Sequence, residues 1–262
     1  VMYTLAGISN SETGWGIVDE SFETLNMLER YGEETWFRLG DRDLATHILR
    51  TSRLRSGETL TEVTAGLSAV LGVDSAVLPM SDDPVFTVLE TAEGRLEFQE
   101  YFVRRGQRDE VLAIELRGIQ DARPTERVLA AISGADAIVL CPSNPVVSVG
   151  PILALPGVTE ALASSSAPKV AVSPIVGGRA LKGPADRMLA SLGHEVSAAG
   201  VARMYAGLVG GMVIDRTDEE ERAGIEALGM RVLVTQSVMR DAEDRARLAS
   251  ETLEFSTGLV AR

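Results

Sequence analysis

The second half of the chain alternates short apolar runs with helical stretches, and that rhythm limits the fold more than any other feature. Ala137-Ile138-Val139-Leu140, Lys169-Val170-Ala171-Val172, Met212-Val213-Ile214 and Arg231-Val232-Leu233-Val234 are short and almost continuously apolar. Runs of this kind are typical of parallel strands buried on both faces. Helices are expected between them. Pro124 stands where a helix's first residue belongs, ahead of Val128, Leu129 and Ile132. Others are expected before Pro156-Gly157, from about Ala185 and Gly200, and from about Asp241 to Phe255, with His194 opening a strand after Gly193. Strand and helix in this order predict a layered α/β fold with a mainly parallel sheet. Such sheets bind ligands beyond the carboxyl ends of their strands. That puts the loops after Leu140 and Val172 at the mouth of a site.

The first half is mostly helical. Glu20 to Tyr31 carries Phe22, Leu25, Met27 and Leu28 and stops at Gly32; Asp41 to Arg55 carries Leu44, Ala45, Ile48 and Leu49. Asp41 is the expected N-cap of the second helix and Gly57 its stop. Thr59-Leu60-Thr61-Glu62 has the spacing of a capping box and opens a third helix to Leu71. Val85 to Thr91 and Arg95 to Val103 read as two strands around Ala92-Glu93-Gly94, with another strand at Val111 to Leu116. There is no low-complexity linker and no repeat. The expected organisation is one domain over 1–262, with a helical and hairpin subregion at 14–120 and an α/β subregion at 121–262. The opening Val1-Met2-Tyr3-Thr4-Leu5 reads as the middle of an element, so Met2 is a late start or the chain is a fragment.

Composition narrows the function classes. The net charge of −13 argues against a sequence-independent nucleic-acid binder, which needs a basic face. It leaves an anionic small substrate open, because local arginines outweigh a global sign. The single cysteine, Cys141, excludes an intrachain disulfide framework and fits a reducing cytoplasm. No apolar run approaches the roughly 20 residues of a membrane span, and no signal peptide is visible. Two histidines and one cysteine cannot build a His/Cys zinc site, and there is no Gly-x-Ser-x-Gly elbow. Cys141 reads as a packed core thiol, His194 as surface or structural, and the acidic run Asp218 to Arg222 as a solvated face.

Three segments have a chemistry that packing does not demand. In Arg38-Leu39-Gly40-Asp41-Arg42-Asp43-Leu44-Ala45-Thr46-His47, Asp43 and His47 share a helix face that Arg50 continues, and Arg42 and Thr46 form a second polar pair. The segment surrounds a helix start, whose free N–H groups favour anions; a solvated face with local ion pairs is the plainer explanation. In Pro79-Met80-Ser81-Asp82-Asp83-Pro84, adjacent acids beside a hydroxyl can hold Mg²⁺ or position a substrate hydroxyl, or simply make a turn. The loops Pro142-Ser143-Asn144-Pro145 and Ser173-Pro174-Ile175-Val176-Gly177-Gly178 follow consecutive strands, and their small residues let backbone donors approach a phosphate. They match neither a Walker A loop nor a Gly-x-Gly-x-x-Gly fingerprint, and a tight turn into a helix also accounts for them.

These segments, in order, resemble the 2-phospho-L-lactate transferases. Leu39-Gly40-Asp41-Arg42-Asp43-Leu44-Ala45-Thr46-His47 is similar to that family's LGDRDxATH signature, and Leu78-Pro79-Met80-Ser81-Asp82-Asp83 to its LPMSDD stretch. Pro142-Ser143-Asn144-Pro145 with Ser148, Gly150, Pro151 and Ile152 resembles its PSNPxxSxGPI element, and Ser173 to Gly178 its SPIxGG loop. Trp15-Gly16 and Phe98-Gln99-Glu100 match smaller landmarks.

The resemblance implies an α/β, Rossmann-like three-layer fold with a helical and hairpin insertion in the first half, and nucleotide binding in the second. It implies transfer of a phospholactyl or phosphoenolpyruvyl group from a guanosine-diphosphate-linked donor to the ribityl hydroxyl of the deazaflavin Fo. GMP leaves, Mg²⁺ is the cofactor, and the product belongs to coenzyme F-420 biosynthesis. Asp41, Asp43, Asp82 and Asp83 are then the catalytic candidates. Arg38, Arg42, Thr46, His47 and Ser81 would meet Fo. Ser143, Asn144, Pro145, Ser148, Ser173, Pro174, Ile175, Gly177 and Gly178 would hold the donor. A homodimer in the cytoplasm is expected. The family's opening strand, Gly-rich loop, Trp-containing acidic segment and PDLDT stretch have no counterpart here. Metal ligands are expected among them, so residues 1–262 alone are expected to be inactive or weak, with an exposed sheet edge. A nucleotide-sugar-binding regulator of the same superfamily is the alternative, and the LGDRDLATH segment discriminates against it.

Overall fold

The computed structural model describes residues 1–260. Its second half is built on a four-stranded, wholly parallel sheet. The strands are β4 (Ile138–Leu140), β5 (Lys169–Val172), β8 (Gly211–Asp215) and β9 (Arg231–Thr235), in the order β4-β5-β8-β9. Side chains alternate across a strand, so the near-continuous apolar runs require cover on both faces. One face carries Ala171, Met212, Ile214 and Val232, packed under Leu189 of α8 (Ala185–Ser191), Val201 of α9 (Ala198–Met204) and Ile225 of α10 (Arg222–Glu226). The other carries Val170, Val172 and Val213, packed under Leu248, Phe255 and Leu259 of α11 (Ala242–Val260). Helix, sheet and helix make the three layers. Gly211 lets α11 come close, because a Cβ there would lie 2.7 Å from the Phe255 ring. β4 has β5 as its one sheet neighbour among the described residues and is an edge strand. Beside it, α5 (Glu126–Ser133), α6 (Gly150–Leu153) and α7 (Val158–Ser164) close over Ile119, Leu155 and Leu162.

The first half holds α1 (Met2–Leu5), α2 (Glu23–Arg30), α3 (Asp41–Arg55) and α4 (Leu60–Val70). A three-stranded antiparallel sheet follows, β1 (Phe86–Thr91), β2 (Gly94–Glu97) and β3 (Val111–Arg117), in the order β2-β1-β3. Its Leu89, Leu96 and Val111 pack onto Met188 of α8, which joins this sheet to the larger layer. The helix expected at Asp41–Arg55 forms with those bounds, and the Thr59–Glu62 capping box closes in both directions.

Several expectations need correction. The strand expected over 95–103 ends at Glu97, and Glu100–Arg104 is a π-helical turn. Phe98, Tyr101 and Phe102 recur at helical spacing; Phe98 and Phe102 stack at 5.4 Å and Tyr101 is buried. Pro124 lies before Thr125, which is the true N-cap and accepts from the Val128 N–H. His194 lies in the link between α8 and α9, outside any strand. Cys141 is exposed, because β4 ends at Leu140 and the chain turns outward. The hairpin β6 (Ile175–Val176) with β7 (Arg179–Ala180) was not foreseen.

Candidate functional site

The signature segment starts α3, and its acids divide into two tasks. Asp41 is the first residue of α3 rather than its N-cap, which is Gly40. Its carboxylate turns to α2, accepting from Ser21 Oγ (2.7 Å), Glu23 N (2.9 Å) and Thr24 N (3.1 Å). Those hydrogen bonds, led by Ser21 and Thr24, lower its pKa to about 2. Glu20 returns the service: its Oε1 accepts from Asp43 N (3.2 Å) at the start of α3 and from Ile17 N (3.0 Å). A Cβ at Gly40 would overlap the Glu20 carboxylate, so glycine is the residue that fits. α3 thus satisfies orphan N–H groups of α2 through Asp41, and the segment leading into α2 satisfies one of α3 through Glu20.

One turn further in, Asp43 Oδ1 accepts from the Tyr3 hydroxyl (2.7 Å) and lies 3.5 Å from His47 Nε2. An Arg50 guanidinium nitrogen is 2.8 Å from His47 Nδ1. Guanidinium can only donate, so Nδ1 accepts and the ring proton sits on Nε2, facing Asp43. Burial first, then the Asp43 carboxylate, pushes the Tyr3 hydroxyl up to about 12 against an opposing contribution from Thr46. Tyr3, Asp43, Thr46, His47, Arg50 and Thr64 of α4 line a cavity of about 320 Å³. The expected face of Asp43, His47 and Arg50 therefore exists. The Arg42–Thr46 pairing does not, because Arg42 donates to Val18 O (2.7 Å). Arg38 lies over the Phe22 ring at 4.6 Å.

The Ser81–Asp83 turn ties the two halves together. Buried Ser81 donates to Arg123 O (2.6 Å), Asp83 accepts from Arg123 N (3.0 Å), and Asp82 accepts from Thr61 N (2.7 Å) in the first turn of α4. Among the described residues, no hydrogen bond joins this turn to the Asp43–His47 group or to either post-strand loop.

The loop after β4 holds Ser143 and Ser148 exposed. Asn144 accepts from Val146 N (2.9 Å) and Val147 N (3.2 Å), capping the π-helical turn Pro145–Val149, in which Pro145 is buried. After β5, buried Ser173 donates to Ile175 O (2.9 Å), which folds Pro174 into a tight turn before β6. Gly177 (φ +56°) and Gly178 (φ +71°) form the exposed hairpin tip, and Gly177 N donates to Asp218 Oδ1 (2.8 Å).

That last contact corrects the solvated-face expectation. Asp218 is 3% exposed, although Glu219 and Glu220 beside it are exposed. In the turn after β8, Asp215 accepts from Ser237 N (2.8 Å) beyond β9, Asp218 from Gly177 N, and Glu221 from Ala199 N (2.6 Å) in α9. Burial opposes ionisation of Asp215, yet the donors of Thr217 and Ser237 hold its carboxyl below the usual range. Burial, then the nearby Glu221, Asp215 and Glu220, raises that of Asp218. Glu20, Asp215 and Asp218 were missed in the sequence because a lone acid carries no local signal of a tertiary partner. The one available cue was Asp215, a charge closing an apolar strand.

Among the described residues, no three His, Cys, Asp or Glu side chains form a group that could hold a metal ion. The carboxylates of Asp41, Asp82 and Asp83 already accept from protein N–H groups. No single helix among the described residues is long and apolar enough to cross a membrane.

Comparison with known proteins completes the picture. Residues 1–252 match the family model described as 2-phospho-L-lactate transferase CofD. A phosphoenolpyruvate transferase of Streptomyces griseus is 45% identical over 262 residues, covering 98% of this chain and 82% of that protein. A 2-phospho-L-lactate transferase of Methanosarcina acetivorans is 38% identical over 259 residues, covering 99% and 82%. A solved Bacillus halodurans structure of the UPF0052 family superposes with a TM-score of 0.61 at 18% identity, over 94% of this chain and 81% of that one, and supports the fold alone.

Proposed function

Because this chain belongs to the 2-phospho-L-lactate transferase family, it is a transferase, and we propose that it moves a phospholactyl or phosphoenolpyruvyl unit onto the ribityl hydroxyl of Fo in coenzyme F-420 biosynthesis. The observation that carries the reading is the family match over residues 1–252. The acceptor oxygen attacks the phosphorus that bears the three-carbon acid. The bond from that phosphorus to the oxygen shared with the nucleotide phosphate breaks, and GMP departs with that oxygen. The hydroxyl proton is lost. Such a transfer is accelerated mainly by positioning and by neutralising charge on the equatorial oxygens.

The cavity of Tyr3, Asp43, Thr46, His47 and Arg50 suits the acceptor chain, with hydroxyl, carboxylate and imidazole available for its hydroxyls. The loops at the carboxyl edge of the sheet, with exposed Ser143, Ser148, Gly177 and Gly178, suit the donor, as expected for an open α/β sheet. Asp41 and Asp82 serve by fixing the starts of α2 and α4, and Asp83 by holding the Arg123 backbone. Mg²⁺ binds more often through one or two carboxylates and substrate phosphates than in an all-protein cage. A cytoplasmic homodimer is part of the same reading, and light scattering reports the assembly.

The test incubates the full-length protein with Fo, Mg²⁺ and each guanosine-diphosphate-linked donor, and reads the deazaflavin product by mass. Product from one or both donors is expected, and none from either overturns the reading. Asp43→Asn keeps the size and removes the charge; kcat/KM should fall by roughly a hundred- to a thousandfold, the range for losing one preorganised electrostatic group. An unchanged value removes Asp43 from the site.

A further inference from the structure

We propose that Asp218 is a positioning residue for donor binding, acting through the Gly177 N–H to hold the tip of the β6–β7 hairpin; this rests on the reading that the hairpin faces the donor. The tip has two glycines in the left-handed region, with Val176 paired to Arg179 across it. That is a two-residue hairpin turn of the primed type. Glycine reaches these dihedrals without strain, but it also loses the most freedom when fixed. A Gly-Gly tip in water is therefore mobile unless something holds it.

Asp218 supplies the hold from beneath. It lies at a kink in the turn after β8, with a non-helical φ of −105°. Its Oδ1 accepts from Gly177 N at 2.8 Å, while Oδ2 is buried without a donor. An unpaired buried carboxyl oxygen is costly, so stability alone would favour a residue without it. Its own turn is fixed from both sides: Asp215 accepts from Thr217 N (3.0 Å) and Ser237 N (2.8 Å), and Glu221 from Ala199 N (2.6 Å). Asp218 is thus a rigid post under a flexible tip. Burial, then the neighbouring Glu221, Asp215 and Glu220, raises its carboxyl above the usual range, against the opposing hydrogen bond from Gly177 N–H. Holding the tip lowers the entropy lost when the donor binds.

The full-length protein is compared with Asp218→Ala and Asp218→Asn. The alanine variant should raise the donor KM by about tenfold, the scale of one lost hydrogen bond to an ordered loop, with kcat and the Fo KM within about twofold of the parent. The asparagine variant keeps an acceptor oxygen and should restore the donor KM. Amide exchange at 175–180 should quicken in the alanine variant and return to the parent rate in the asparagine variant. An alanine variant with fast exchange but an unchanged donor KM overturns the proposal, as does one in which kcat and both KM values worsen together. If the alanine variant does not fold, asparagine decides: a raised donor KM in a folded variant with slow exchange refutes the anchoring role. If the parent protein itself transfers nothing, the proposed reaction fails, and the exchange data still report whether Asp218 holds the tip.

Discussion

The Asp41 carboxylate accepts from three donors at the start of α2 and sits at the head of the signature segment. Its lowered pKa gives a testable sign. A carboxyl depressed from 3.8 to about 2 stabilises the fold fully above its unfolded value, and that stabilisation is lost as pH falls through about 2. Asp41→Asn should therefore melt lower than the parent at neutral pH, and the two melting curves should converge as pH drops from about 4 toward 2. A gap in midpoint that stays constant over that range would contradict the assignment. The composition of this segment was plain in the sequence, and so was the Asp43–His47–Arg50 face, since helical spacing alone sets it. The direction in which each acid points was not. Asp41 and Asp43 are two residues apart, so they leave the helix on different sides, and only tertiary structure says that one meets Ser21 and the other Tyr3.

Elements were legible where one signal acted alone. The bounds of α3 follow from apolar spacing between two glycines, and the start of α4 from Thr59 and Glu62. Thr59→Ala should cost about 1 kcal/mol, within the usual range of roughly 0.5–2 for a lost N-cap, measured by denaturant unfolding. Elsewhere two signals overlap. Residues 95–103 contain strand formers, but Phe98, Tyr101 and Phe102 also fit a helical face, and burial of Tyr101 decided for the π-helical turn. Gly200 shows a constraint that no pattern reveals. It is buried in α9, and a Cβ there would overlap the carbonyl of Glu195. Gly200→Ala should destabilise by about 1–3 kcal/mol, the cost of overpacking, although alanine is the better helix former. A neutral or stabilising result would show that this close approach is easily relieved.

For the whole molecule, the alternation of apolar runs announced the parallel sheet, because few other arrangements bury such strands on both faces. Its order, and the cover of α11 on one side and α8 to α10 on the other, rest on long-range contacts that a single sequence does not display. Ile214 is fully buried in the central strand β8. Ile214→Ala should cost about 2–5 kcal/mol in global stability and leave the local exchange of α3 amides unchanged until the protein unfolds. Coupling between the halves runs through the antiparallel sheet on Met188 and through the Ser81–Asp83 turn, which reaches Thr61 on one side and Arg123 on the other. In sequence this strap fits a turn and a binding element equally, and its backbone partners lie too far along the chain to leave a local signal.

The turn after β8 has one more consequence. Asp215, Asp218 and Glu221 are three residues apart, and each grips a different neighbour: the segment beyond β9, the Gly-Gly tip and α9. Exchanging a side chain at 216, 219 or 220 leaves that spacing intact. Inserting or deleting a single residue shifts the phase between the acids and releases more than one neighbour at once. Homologous chains should therefore vary freely in letter at those positions and hardly at all in count, a gapless stretch in which length is inherited more strictly than composition.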